Sequence, residues 1–370
     1  MKVVLPRQEF QEALGAVASL ANARSPKPIL GCAKLSARDG RLELSATDGE
    51  AALRAGIAAL SVEKPGEAVV PADRLLGIIR ELQDVEIALA TSERQCIIKA
   101  ESSEFRVFML ESADFPPVQG FEDAADFVMD AADLRRMIAL TIHAAARETS
   151  RYAINGVLWE KSGRRLHLVA TDGRRLARSG GSLRESESAD FEAILPAKAL
   201  GVLERVALSA RDEEASVVRV KMKPNQAILQ CGERVLSTVL VEGHFPKYQD
   251  VIPKGCDKKA VIGREELYAA VRQAALLTTE DSRAVKLAFS PEELVITSQS
   301  PEQGDARVRL AIRYDGTPLE IAFNPAYVGE VLRAMTDPEV TIELQEPFRP
   351  GVLYGADKAD FLYVVMPVSL

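Results

Sequence analysis

The tetrapeptide Ala46-Thr47-Asp48-Gly49 stands again 124 residues later as Ala170-Thr171-Asp172-Gly173. A fainter copy, Thr297-Ser298-Gln299-Ser300, begins 126 residues after Thr171. A period that long is too great for a solenoid repeat and matches tandem copies of one domain. The sequence around each copy agrees. Arg165-Leu166-His167-Leu168-Val169 alternates apolar with other residues and runs into the Thr-Asp-Gly turn signal, as a strand entering a hairpin does. The middle copy alone continues into two arginines and a leucine, Arg174-Arg175-Leu176.

Each third opens with a short apolar strand and an amphipathic helix. Val3-Val4-Leu5 precedes a helix with Phe10, Leu14, Val17 and Ala21 on one face. Phe127-Val128-Met129 precedes Leu134, Ile138 and Ile142, with Asp130 placed as N-cap and Asp133 three residues on. Ala260-Val261-Ile262 precedes Leu267, Val271 and Ala274. A second strand–helix unit follows the hairpin, at Val69-Val70-Pro71, Ile194-Leu195-Pro196 and Ile321-Ala322-Phe323. In the third copy Asn324-Pro325 reads as N-cap and first helical residue. Alternating strands close each third: Val85–Leu89, Cys96–Lys99 and Phe105–Leu110; Val217–Val220, Ala227–Gln230 and Val235–Leu240; Val340–Leu344 and Phe361–Met366. The pattern predicts an α+β chain of three domains, 1–122, 123–253 and 254–370, each with two helices and about eight strands.

Composition narrows the function classes. No apolar run reaches the roughly 18 residues of a membrane span. The opening Met1-Lys2-Val3-Val4 leads into folded-looking sequence, so a cytoplasmic protein without a signal peptide is expected. Cys32, Cys96, Cys231 and Cys256 are scattered, as reduced thiols are. A net charge of -8 argues against coating nucleic acid by bulk charge. The charge is uneven, however: the three thirds carry -4, +1 and -5, so basic surface is expected to centre on the middle one.

Catalytic templates fail together. His143, His167 and His244 share no metal-ligand spacing with one another or with cysteine, and no nucleophile elbow, P-loop or dinucleotide fingerprint occurs. Asp48 and Asp172 suit the backbone of an Asp-Gly turn better than acid–base work. Neither metal nor cofactor is expected. Basic residues on the helices are more informative. Lys198 and Arg205 stand seven apart, a helical same-face spacing; Arg74 and Arg80 lie on the corresponding helix of the first third; Arg135, Arg136, Arg264 and Arg272 lie on the opening helices of the other two. Such faces fit sequence-independent contacts to a polyanion. On residues alone, a hydrolase using His143 or Asp172 and a monomeric peptide-binding scaffold remain open alternatives.

The three-fold repeat, together with Arg151-Tyr152-Ala153-Ile154-Asn155-Gly156, Val169–Leu176, Gly243-His244-Phe245-Pro246-Lys247-Tyr248 and Tyr363-Val364-Val365-Met366-Pro367, resembles the bacterial sliding clamps, the beta subunits of DNA polymerase III. The resemblance spans the whole chain. It implies a processivity factor without catalysis: a head-to-tail homodimer whose six domains form a ring, helices inward, around duplex DNA. It also implies a cytoplasmic, nucleoid-associated protein whose partners are the polymerase III alpha subunit, a clamp loader, and other polymerases and repair proteins that carry a clamp-binding motif. The resemblance places a partner-peptide groove at Ile154, Thr171, Gly173, Arg174, Arg175, Leu176, Pro246, Val251, Val364 and Met366, edged by Arg151, Asn324, Tyr327 and Pro367, with the two arginines supplying donors around the peptide. It places Arg24, Arg74, Arg80, Tyr152, Lys198 and Arg205 toward DNA. It pairs Leu276 and Leu277 of one subunit with Phe105 and Val107 of the other. Asp73, Glu148, Ala153 and Asp250 depart from the family's pattern at the DNA rim, Arg174 replaces a familiar histidine, and Val368-Ser369 alters the tail.

Overall fold

The computed structural model describes every residue except 148–152, 208–215, 279–283, 302 and 369–370. Arg151, Tyr152, Glu148 and Ser369 therefore lie outside the described residues. Among those described, each third holds nine strands, one more than the pattern predicted, and two α-helices. The first contains β1 (Lys2–Pro6), α1 (Arg7–Ala18), β2 (Cys32–Arg38), β3 (Arg41–Thr47), β4 (Ala51–Ala58), β5 (Ser61–Lys64), β6 (Gly66–Pro71), α2 (Ala72–Glu81), β7 (Glu86–Ser92), β8 (Gln95–Lys99) and β9 (Glu104–Phe108). The middle third repeats that order as β10 (Phe127–Asp130), α3 (Ala131–Thr141), β11 (Gly156–Ser162), β12 (Arg165–Thr171), β13 (Arg175–Ser182), β14 (Glu185–Ser186), β15 (Phe191–Pro196), α4 (Ala197–Val202), β16 (Val217–Lys223), β17 (Gln226–Cys231) and β18 (Arg234–Val239). The last does so as β19 (Lys258–Gly263), α5 (Arg264–Ala275), β20 (Val285–Phe289), β21 (Glu293–Ser300), β22 (Gly304–Ala311), β23 (Arg313–Asp315), β24 (Leu319–Phe323), α6 (Pro325–Ala334), β25 (Glu339–Leu344), β26 (Gly351–Tyr354) and β27 (Phe361–Val365).

The chain divides into two compact units. Met1–Leu134, Leu183–Ser188 and Lys198–Leu240 form the first. It holds a five-stranded sheet, β5-β1-β7-β8-β9, and a nine-stranded one, β14-β10-β16-β17-β18-β4-β3-β2-β6. Arg135–Ser182, Ala189–Ala197 and Val241–Leu370 form the second, with the nine-stranded sheet β15-β11-β12-β13-β27-β26-β25-β19-β23 and the four-stranded β22-β21-β20-β24. Both long sheets are made by joining two thirds of the chain edge to edge: β4 pairs with β18 in one, β13 with β27 in the other. All strand pairs are antiparallel, and their alternation shows in the burial. Along β3, Leu42 and Leu44 are fully buried while Arg41 is exposed, and α1 packs Phe10, Leu14 and Val17 over that face.

The two Thr-Asp-Gly turns are built identically. Thr47 Oγ1 donates to the Ala51 carbonyl at 2.7 Å and Thr171 Oγ1 to that of Arg175 at 2.7 Å; each accepts from the glycine N–H, at 3.0 and 3.1 Å. Asp48 Oδ1 accepts from Glu50 and Ala51 N–H, Asp172 Oδ1 from Arg174 and Arg175 N–H. Gly49 and Gly173 sit at φ +98° and +84°, where a Cβ is strained. The aspartates thus hold turns. The third copy is out of step with the expected alignment. Helix starts and strand pairs set Val169, not Thr171, in the place of Thr297, since Leu158 opposite Val169 corresponds to Lys286 opposite Thr297. The match of one threonine to another was fortuitous. The predicted cap at Asn324 is present, its side chain accepting from Ala326 N–H at 2.9 Å. Asp130 instead pairs its carboxylate with Arg184.

Candidate protein-docking groove and nucleic-acid face

At the joint of β13 and β27, Leu176 lies directly opposite Val364, both 2 % exposed. They floor an apolar pocket of about 240 Å³ that is also lined by Ile154, Thr171, Gly173, Arg175, Pro246, Lys247, Tyr248, Val251 and Met366. The floor continues into a core of Leu158, Val169, Ile194, Tyr248, Val352 and Leu362. The walls are freer, with Met366 41 % and Val251 49 % exposed, and the rim strand is held by Met366 N–H donating to the Arg174 carbonyl at 2.9 Å. A buried apolar floor with exposed Met and Val walls has the room and the chemistry to bury a large apolar side chain.

Nine of the ten residues expected to line the groove meet in this pocket; Arg174 does not. It faces an adjoining concavity of about 1130 Å³, together with Asn324 and Tyr327, two of the expected edge residues, and Arg147, Tyr268, Arg272, Glu330 and Arg333. Pro367 follows Met366 beyond β27 and lines neither space. Lys247 and Tyr248 belong to the lining although sequence reasoning singled out only Pro246 in that segment. Tyr248 is 6 % exposed and donates its hydroxyl to Glu160 Oε2 at 2.5 Å. Burial and that carboxylate push its phenol far up, and burial raises Glu160 as well. The two aromatics Phe245 and Tyr248 flanking Pro246-Lys247 were the available signal.

Arg175 lines the pocket with three of its N–H groups already committed within the chain. Nε bonds Asp172 Oδ2 at 3.0 Å, Nη2 donates to the His143 carbonyl at 2.6 Å, and Nη1 pairs with Glu330. The guanidinium lies over the Tyr327 ring at 4.3 Å and is 7 % exposed. It therefore ties the Asp172 turn to α6, behind the groove wall. His143 shares this network. Burial, then the Arg175 charge, hold its imidazole down to about 4; Nδ1 is 3.3 Å from the Ala139 carbonyl and Nε2 is buried without a partner, as suits a neutral ring.

The basic residues expected to face DNA are spread over the first unit. Arg24 is exposed in a loop after α1, and Arg74 and Arg80 are exposed on α2. Lys198, exposed on α4, is ion-paired with Asp48 of the first turn, whose carboxyl is held low by backbone N–H bonds and by Lys198 despite the opposing effect of burial. Arg205 is exposed and donates to the Gly201 carbonyl at 3.0 Å. The spacing of seven does not put these two on one α-helical face: α4 gives way at Leu203–Ala207 to a π-helical turn. Arg264 is also no surface cation; it donates to the Asp337 and Leu332 carbonyls. Among the residues expected at a subunit joint, Phe105 is 36 % and Leu276 76 % exposed, Leu277 is half-buried, and Val107 is buried. Among the described residues, no group of three or more His, Cys, Asp or Glu side chains is placed to hold a metal, and no helix is long and apolar enough to cross a membrane.

Family comparisons cover the chain almost end to end. Residues 1–119 match the DNA polymerase III beta subunit N-terminal domain, 128–247 its central domain and 249–369 its C-terminal domain. The beta sliding clamp of Escherichia coli K12 is 33% identical over 371 aligned positions, covering 100% of both chains, and that of Chlamydia muridarum is 31% identical over 100% of this chain and 99% of its own. The crystal structure of DNA polymerase III subunit beta from Pseudomonas aeruginosa superposes with a TM-score of 0.90 at 32% identity, and that from Thermotoga maritima with 0.91 at 25%. Each covers 100% of this chain and at least 99% of its own. Three repeated nine-stranded thirds, the groove at their second joint and these end-to-end matches lead to one assignment: the chain belongs to the bacterial sliding clamps, the non-catalytic DNA polymerase III beta subunits that tether the polymerase and confer processivity.

Proposed function

We propose that two copies of this chain join head to tail into a six-domain ring that encircles duplex DNA without reading its sequence. The observation that supports this most directly is an unfinished strand ladder. The fourth strand of the first third pairs with the last strand of the second, and the fourth of the second with the last of the third. Two joints of one kind leave one edge of each kind over: β22 and β9 both end their sheets. A second copy supplies both missing neighbours, and a heterologous contact that closes on itself makes a ring rather than a fibre. The apolar residues Phe105, Val107, Leu276 and Leu277 then meet at the joint.

Encirclement reconciles DNA binding with a charge of -8. Arg24, Arg74, Arg80 and Arg205, with Lys198 and Tyr152, need only weak phosphate contacts, because release requires the ring to open. The groove at Leu176, Val364 and Met366 receives short peptides of the polymerase III alpha subunit, the clamp loader, and other polymerases and repair proteins. An apolar anchor buried there gains roughly 1.5–3 kcal/mol. Arg151 and Pro367 lie at its rim in this reading, and the protein acts in the cytoplasm at the nucleoid. Loading onto nicked circular DNA tests the reading. Protein retained on circles is expected to run off when the circle is linearised; equal retention on linear DNA would mean adhesion.

A further inference from the structure

We propose that the open edges carry a charge code that sets the register of the joint between two copies, with Glu104 of β9 opposite the partner's Arg307 and Arg106 opposite the partner's Asp305. The inference rests on the head-to-tail reading and adds to it which residues face each other.

The register is read from the two joints within the chain. Along the ladders, Ile98 opposite Phe105, Leu229 opposite Leu236 and Leu353 opposite Tyr363 occupy the same place in the three thirds. So do Ala46 opposite Leu53, Ala170 opposite Ala177 and Ser298 opposite Ala306. At the first joint Leu236 faces Leu53; at the second Tyr363 faces Ala177. Both joints thus use one register, and copied to the open edges it sets Phe105 against Ala306. Val235 opposite Arg54 and Leu362 opposite Arg178 then correspond to Glu104 opposite Arg307. Ser237 opposite Ala52 and Val364 opposite Leu176 correspond to Arg106 opposite Asp305.

Two independent features fit this register. Side chains directly opposite in an antiparallel pair share a face. Phe105 and Val107 lie on the apolar face of β9, and Ala306 and Val308 are, with Leu310, the half-buried residues of β22, whose inner face packs on α5. A slip of one residue would turn these apolar faces apart. Glu104, Arg106, Asp305 and Arg307 are all exposed, on the other face. A slip of two residues either way sets Arg106 against Arg307 or Glu104 against Asp305, like against like. Only the copied register gives two opposite-sign pairs. The joints inside the chain carry no such opposed charges, because those edges are never free. Edges that must stay soluble until a partner arrives carry them.

Charge exchange tests the register. Two variants are made of the full chain, Glu104→Arg with Arg106→Glu in one and Asp305→Arg with Arg307→Glu in the other. Each sets like charges against each other at both joints of its own dimer. In a mixed dimer every pair is opposite in sign again, one joint as in the wild type and the other exchanged. Sedimentation at low salt is expected to show each variant alone dissociating at least about a hundredfold more readily than the wild type, with the equimolar mixture restored to a dimer. Either variant dimerising as tightly as the wild type would overturn the register. So would a mixture that stays monomeric while both variants keep the wild-type circular dichroism and melting temperature. Unfolded variants would be replaced by the single changes Glu104→Arg and Arg307→Glu, which make the same complementation test at one pair. A wild-type chain that is itself monomeric would refute the head-to-tail reading instead.

Discussion

Replacing Arg175 by Met separates a residue that grips a peptide from one that holds the groove in shape. The guanidinium is 7 % exposed and satisfies Asp172, Glu330 and the His143 carbonyl at once. Met fills much of the volume and removes the charge. Two carboxylates, 17 % and 27 % exposed, then keep their charge with no counter-ion. Breaking a buried pair from one side costs about 3–5 kcal/mol. Glu330 can turn to solvent and Asp172 keeps its two backbone N–H donors, so the lower end, about 3 kcal/mol, is expected. In a unit of this size that lowers the melting temperature by roughly 6–12 °C. Combining Arg175→Met with Glu330→Gln should recover part of the loss, because one stranded charge is gone. The assay is a thermal melt of the four members of the cycle beside calorimetric titration with a peptide bearing the polymerase motif. Peptide binding should weaken in proportion to stability and partly return in the double variant. A variant that melts like the wild type yet has lost the peptide would show that Arg175 is a direct ligand, and the clamp argument would be wrong.

Three further outcomes follow from the same geometry. Met366→Ala with Val251→Ala strips exposed walls from the pocket, so the peptide should bind roughly tenfold or more weakly by calorimetry, with the dimer and melting temperature unchanged. Leu276→Ala with Leu277→Ala removes apolar surface from the proposed subunit joint, and ultracentrifugation should show the dimer dissociating at higher concentration than the wild type. His143 has its folded pKa near 4, below the ordinary value of 6.5, so the unfolded chain takes the proton first as pH falls. Its contribution of up to about 3 kcal/mol is present above pH 6.5 and is lost as the pH drops toward 4. Denaturant titrations of His143→Phe across that window should show a shallower decline than the wild type.

Local patterns made the elements legible. Helical spacing found α1, α3 and α5, and period-two alternation found most closing strands within a residue or two of their ends. What the sequence withheld was set at a distance. Arg174 and Arg175 read as an equal pair of surface donors, yet the strand's alternation and a carboxylate 155 residues away, Glu330, turn one inward and leave the other out. Lys198 and Arg205 read as one helical face because a π-helical turn has no spacing signal of its own. The edge-to-edge pairing of β4 with β18 joins residues almost two hundred positions apart and leaves no mark beyond two ordinary strands. The resemblance named nine residues that line one pocket; from the sequence alone, Leu176, Pro246 and Met366 read as core.

The repeat raises the question of what sets the joint that carries the apolar pocket apart from the first joint. Both joints share the scaffold: Thr171 and Gly173 correspond to Thr47 and Gly49, with the same turn and the same strand register. The difference is at the floor. Where the second joint sets Leu176 against Val364, the first sets Ala52 against Ser237. Ala52 and Ser237 are smaller than Leu176 and Val364 and one of them is a hydroxyl, so that floor offers less apolar surface to an anchor. The wall differs in kind as well, since Arg175, which braces the second turn against Glu330, corresponds to Ala51 in the first. At the open edges the proposed pair at this place is Arg106 with Asp305, which favours a matching strand over an apolar side chain. One ladder position, held by Ala52 with Ser237, by Leu176 with Val364 and, in the proposed subunit joint, by Arg106 with Asp305, is where the three joints differ most in chemistry.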